Sequence, residues 1–148
     1  MATEVFTTET ISLQDGKEVE LRPLVIARLR KFTGVWLDWV DFVQTNEKNR
    51  MENEDHENDD EESTYVKHEV LEQRQIQDRQ YDIYTDLLVI CLEKDLKGEK
   101  SAKAFRDYIE DNVYEPTTYR ILDKCGALKL SPDENLVAAM ERLEAAQE

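Results

Sequence analysis

Carboxylates, imidazoles and thiols are the groups that could do chemistry in this chain. Asp55, Glu57 and Asp59 fall at alternate positions, as the oxygen ligands of a calcium loop do. Such a loop also needs glycine at its sixth position and a bidentate glutamate at its twelfth. Those positions hold Asp60 and Val66, so the expectation is weak, unselective cation binding at most. His56 and His68 have no Cys or His partner at ligand spacing and read as solvent-exposed. Cys91 and Cys125 are far apart and fit no metal pattern; two buried thiols in a reducing, cytosolic setting are expected. Gly16, Gly34, Gly98 and Gly126 are isolated, which leaves no phosphate-cradling loop. No Ser or Cys occupies a nucleophile elbow. Carboxylate pairs abound, but in so acidic a chain a pair carries almost no information. The expectation is a protein without catalysis, cofactor or metal.

The elements that must position any working surface are mainly helical. The 148 residues fit one domain with a hydrophobic core, and 40% are apolar. Thirty-four acids against nineteen bases give a formal charge of -15. That field repels phosphate backbones and anionic bilayers, so neither nucleic acid nor membrane is an expected partner, whereas basic protein segments are attracted. No apolar run approaches the roughly 20 residues of a membrane span. Met1-Ala2-Thr3-Glu4 lacks the basic start of a signal peptide, so an exported form is not expected.

Residues 1–22 read as a β-hairpin arm, with Ile11, Leu13, Val19 and Leu21 alternating with polar residues around Asp15-Gly16. An isolated hairpin is marginal in water, so it must lean on a helix or another subunit. Pro23 suits a first helical turn, and a helix over 23–45 follows. In it Val25, Leu29, Phe32, Trp36, Trp39 and Val43 recur at spacings of four and three. Gly34 in mid-helix is read as a close approach of another backbone. Residues 46–63 are expected to be a mobile acidic linker, because eight of the eleven positions from Glu52 to Glu62 are acidic and none is aliphatic. The remainder, 64–148, reads as helical. A long helix runs from about Tyr65 to Leu96, capped by Ser63 or Thr64 and ended by Gly98, and three shorter helices start at Ser101, Pro116 and Ser131-Pro132. The fold class is thus mainly α: an N-terminal β-hairpin and a bundle of about five helices, with an acidic linker after the first.

The first helix is wider in apolar surface than a small bundle normally buries, because Leu24, Ile26, Val35, Leu37, Val40 and Phe42 flank the stripe. Surplus apolar surface points to a partner or to self-association. Phe32, Val35, Trp36, Trp39, Phe42 and Val43 are the residues expected to contact it.

The order of these features resembles the tail assembly chaperones of tailed bacteriophages. The resemblance lies in Ile11-Ser12-Leu13-Gln14-Asp15-Gly16-Lys17, Val19-Glu20-Leu21-Arg22-Pro23-Leu24, the Leu29-Arg30-Lys31-Phe32 helix with Trp36, and Thr118-Tyr119-Arg120-Ile121-Leu122-Asp123-Lys124-Cys125-Gly126-Ala127. It covers the hairpin with the first helix and then roughly residues 81 to 143; the acidic insert lies outside it. The resemblance implies a mostly helical, self-associating protein in the cytoplasm of the infected bacterium. Such a protein keeps the tape measure protein, or another tail protein, soluble while the tail tube assembles, and is absent from the mature virion. Many members also have a frameshifted longer form. Two rival readings are a structural component of the tail or neck, and an acidic DNA-mimic inhibitor, which would need carboxylates spaced over a rigid face.

Overall fold

The computed structural model describes residues 8–126. Within them β1 (Glu9–Ser12) and β2 (Glu18–Leu21) form an antiparallel hairpin, followed by α1 (Ile26–Asp55), α2 (Gln73–Leu96), α3 (Ala102–Asn112) and α4 (Glu115–Gly126). The fifth expected helix, opened by Ser131-Pro132, lies outside the described residues.

Alternation decides the hairpin's orientation. Ile11 pairs with Val19 across the ladder, and together with Leu13 and Leu21 they are buried against the helices, while Thr10, Ser12, Glu18 and Glu20 face out. Gly16, at φ 86°, takes the left-handed turn conformation that most side chains avoid. The arm leans on helices of its own chain. The Gln14 N–H donates to the Asn112 carbonyl at 3.0 Å, the Tyr108 hydroxyl to Asp15 Oδ2 at 2.8 Å, and Arg120 of α4 pairs with Glu9. Burying each aliphatic side chain contributes about 1.5–3 kcal/mol, which stabilises what would otherwise be a marginal ribbon.

α2 is the central helix and touches α1, α3 and α4. Its Tyr84, Leu87, Leu88, Cys91 and Leu92 are buried in one core with Phe32, Trp36, Trp39 and Val40 of α1. Phe105 and Ile109 of α3, and Ile121 and Leu122 of α4, complete that core. Gly98, at φ 56°, follows the last turn of α2, and the Ser101 hydroxyl accepts the Ala104 N–H to start α3; both signals are legible in the sequence.

Three boundaries differ from the sequence reading, each for a hydrogen-bonding reason. α1 starts at Ile26 rather than at Pro23. The Leu24 N–H donates to the Cys125 carbonyl at 3.0 Å, which holds the connection extended through Val25. At its other end α1 continues to Asp55, so residues 46–55 of the expected linker form its last turns. Acidic side chains there oppose the helix dipole, but Arg50 pairs with Glu47 and Glu54 one turn on either side. Two asparagines add the decisive restraint. Asn46 donates to the Leu71 carbonyl and accepts the Leu71 N–H; Asn53 does the same with His68. Each side chain thus mimics a peptide group. Seven helical residues rise about 10.5 Å and three extended residues span about 10 Å, so the two clamps match.

That pairing also explains the third difference. Residues 65–72 run back extended along α1, and α2 begins only at Gln73, where Glu72 and Gln75 form a capping box. Ser63 instead donates to Asp59 within the acidic turn. Gly34 has no neighbour close to where a Cβ would stand, so it is not a backbone contact. The close approach is at Gly126, where a Cβ would run into the buried Phe32 ring.

Candidate protein-binding site

The six residues expected to face a partner divide into two groups. Phe32, Trp36 and Trp39 are core residues, at 0, 5 and 3% exposure, because α2 and α4 lie over that face of α1. Val35, Phe42 and Val43 are half-buried at its flank. Phe42 stacks beside Trp39 with ring centroids 5.7 Å apart, and the Arg79 guanidinium of α2 covers its ring at 5.1 Å. The two indoles are therefore packing groups of the single chain. Among the described residues, the large apolar side chains left exposed here are elsewhere, at Val25 just before the helix and at Ile26, Leu37 and Met51 along it. Ile26 and Leu37, eleven residues apart, share one outer line of the helix.

Metal and thiol chemistry receive the following arrangement. His56 contacts Asp59 and stacks on Tyr65 at the acidic turn, and His68 of the returning segment contacts Glu52 of α1 at 2.8 Å. No group of three His, Cys, Asp or Glu side chains among the described residues is placed to hold a metal ion. Cys91 and Cys125 are both buried and free, and the fold brings them within hydrogen-bonding reach. The neighbouring Cys125 thiol and burial push the Cys91 thiol up, so it packs as a neutral group. Beside them a small recess of about 80 Å³ opens between Arg28 and Lys94. It is too small to seat a bulky side chain.

The larger recess is a cleft of about 560 Å³ between α2, the end of α3 and the start of α4. α3 and α4, which border it, are joined by only two residues, Val113 and Tyr114, and each packs on α2. Val113 gives the floor a small apolar patch, with Leu88, Ile109 and Tyr84 nearly wholly buried beneath it, so the cleft presents more polar than apolar surface. Thr85 and Thr118 turn their hydroxyls back to the Tyr81 and Tyr114 carbonyls, which leaves their methyl groups to the cleft wall. Tyr81, 47% exposed, stands at the mouth.

No match is found among protein-family models, curated proteins or solved structures. The cleft's own geometry is therefore the guide to its use.

Its rim is acidic. Asp78 and Asp82 from α2, Glu110 from α3 and Glu115 from α4 line it, and no basic residue does so among the described residues. Arg106 stands behind, 3.6 Å from Asp82 and 3.7 Å from Glu110, and also pairs with Asp86. Glu115 Oε1 accepts the Tyr119 hydroxyl at 2.6 Å; burial and this hydrogen bond push the Tyr119 phenol above its ordinary range, so it stays the donor. Sequence reading missed this site because its residues come from three helices. The signal that could have found it is the polar-to-apolar change along α2, where Asp78, Tyr81, Asp82, Thr85 and Leu88 share one face. Among the described residues no helix is long and apolar enough to cross a membrane.

Proposed function

We propose that this chain is a tail assembly chaperone of a tailed bacteriophage. It binds the tape measure protein and keeps it soluble during tail morphogenesis, without catalysis and without a cofactor. The single observation that carries the reading is the cleft between α2, α3 and α4. It is a concave recess with a small apolar patch inside a charged rim, on a molecule whose net charge of -15 keeps the loaded complex dispersed. The resemblance of the hairpin, the first helix and the Thr118–Ala127 segment to that family supplies the biological setting: the cytoplasm of the infected bacterium, with the chain left out of the mature virion. Self-association belongs to the same proposal, supported by Val25 and Ile26, which are 60 and 76% exposed.

Co-expression tests it. A tape measure protein that aggregates alone stays in the soluble fraction with this chain and co-purifies with it. If it aggregates equally in both cases, the proposal fails. If the chain is instead abundant in purified virions by mass spectrometry, it is a structural component of the tail or neck.

One observation favours the DNA-mimic rival. The acidic stretch sits on α1 and a hydrogen-bonded turn, not on a loose insert. That reading requires binding to a DNA-binding protein that free duplex DNA competes away. Arg50, paired with two of the carboxylates, weakens it.

A further inference from the structure

We propose that the cleft between α2, α3 and α4 takes one kind of partner segment: an amphipathic basic helix that inserts apolar side chains and sets Lys or Arg on the rim. This rests on the chaperone reading for its biological role, but the recognition chemistry stands on the cleft itself. Asp78 and Asp82 are one helical turn apart and stand one above the other on α2. Two cations at the same i,i+4 spacing on a partner helix would therefore meet both. Glu110 of α3 and Glu115 of α4 line the same cleft, so its small apolar surface, Val113 and the exposed Tyr81 ring over the buried Leu88 and Ile109, lies among four carboxylates.

Charge complementarity selects the occupant. An acidic or neutral helix entering the cleft would bury rim carboxylates without compensation, whereas a basic one exchanges hydration for ion pairs. A second copy of this chain is disfavoured as the occupant of this cleft, because the rim carboxylates would meet another strongly acidic surface rather than cations; self-association belongs to the Val25 and Ile26 end instead. Nucleic acid is excluded by the same sign. Arg106 already engages Asp82 and Glu110, which makes Asp78 and Glu115 the positions where an incoming cation gains most. The Glu115 oxygen that holds Tyr119 leaves the other free to accept.

The test uses the full chain and a synthetic Leu/Lys amphipathic helix of about 18 residues, with a Ser/Lys peptide of equal charge as comparison. Calorimetric titration is expected to show binding of the Leu/Lys peptide and at least tenfold weaker binding of the Ser/Lys peptide, on the order of what loss of an apolar anchor costs. The isosteric pair Asp78→Asn with Glu115→Gln is expected to weaken the Leu/Lys peptide roughly tenfold. Glu61→Gln with Glu62→Gln, an equal charge change on the acidic turn, is expected to change it less than about twofold. Circular dichroism of both variants checks that the fold is kept. Equal binding of the two peptides, equal weakening by the two variants, or no binding of the Leu/Lys peptide overturns the proposal. So does a wild-type dimer that Asp78→Asn with Glu115→Gln dissociates, since the occupant would then be a second copy. If the peptide fails but the tape measure protein is still kept soluble, the chaperone reading survives and this inference alone falls.

Discussion

Trp39 buries its indole N–H without a hydrogen-bond acceptor among the described residues. A buried donor left unpaired costs about 1–3 kcal/mol, so Trp39→Phe removes that cost while keeping most of the ring. We expect its stability to change by less than about 1 kcal/mol, whereas Trp39→Ala loses about 3–5 kcal/mol through the cavity it leaves; urea unfolding measures both. Two glycines make the opposite pair. Gly34 is exposed, helical and clear of neighbours, so Gly34→Ala should stabilise by up to about 1 kcal/mol. Gly126→Ala forces a methyl into the Phe32 ring, which is fully enclosed, and should destabilise by about 1–3 kcal/mol. The sequence made the helical stripe of Phe32, Trp36 and Trp39 legible, because spacing fixes a face. It could not say what covers that face, since the cover comes from α2 and α4 far along the chain.

At the scale of elements, the acidic end of α1 depends on its asparagine clamps. Asn46 is buried and makes both hydrogen bonds to Leu71; Asn46→Ala leaves the N–H and carbonyl of the half-buried Leu71 without this partner and should cost about 1–3 kcal/mol. Faster hydrogen exchange over residues 46–55 and 65–72 would be its signature. A charge run read alone favours a loose linker. The clamps override it through a match between helical and extended repeat lengths that no local window contains. The hairpin offers a pH test. The Lys17 N–H and the Tyr108 hydroxyl hold the Asp15 carboxyl below its ordinary 3.8. That contribution is present above the unfolded value and is lost as pH falls through the lower, folded one. Burial and the same hydrogen bond push Tyr108 up to about 12 from 10.0. Here the proton is held more tightly in the fold, so the contribution is full below pH 10.0 and is lost on rising towards about 12. Tyr108→Phe should abolish the alkaline loss of hairpin docking, followed by NMR of Ile11 and Val19. Hairpin turn, strand alternation and the caps at Gly98 and Ser101 were all readable, because each is set by neighbours in sequence.

On the scale of the whole molecule, the proposed binding cleft lies apart from the aromatic stripe of α1. α1 gives its indoles to the core, and the open recess lies between α2, α3 and α4, lined mostly by polar residues. Net charge and helical content were legible from composition; the cleft was not, because three helices must be placed before it exists. The most direct test of the account is hydrogen exchange on this chain, free and bound to a soluble complex of the tape measure protein. The account predicts added protection confined to residues 78–88 and 109–118, with residues 32–43 unchanged. Protection or opening at residues 32–43, with none along the cleft, would contradict it.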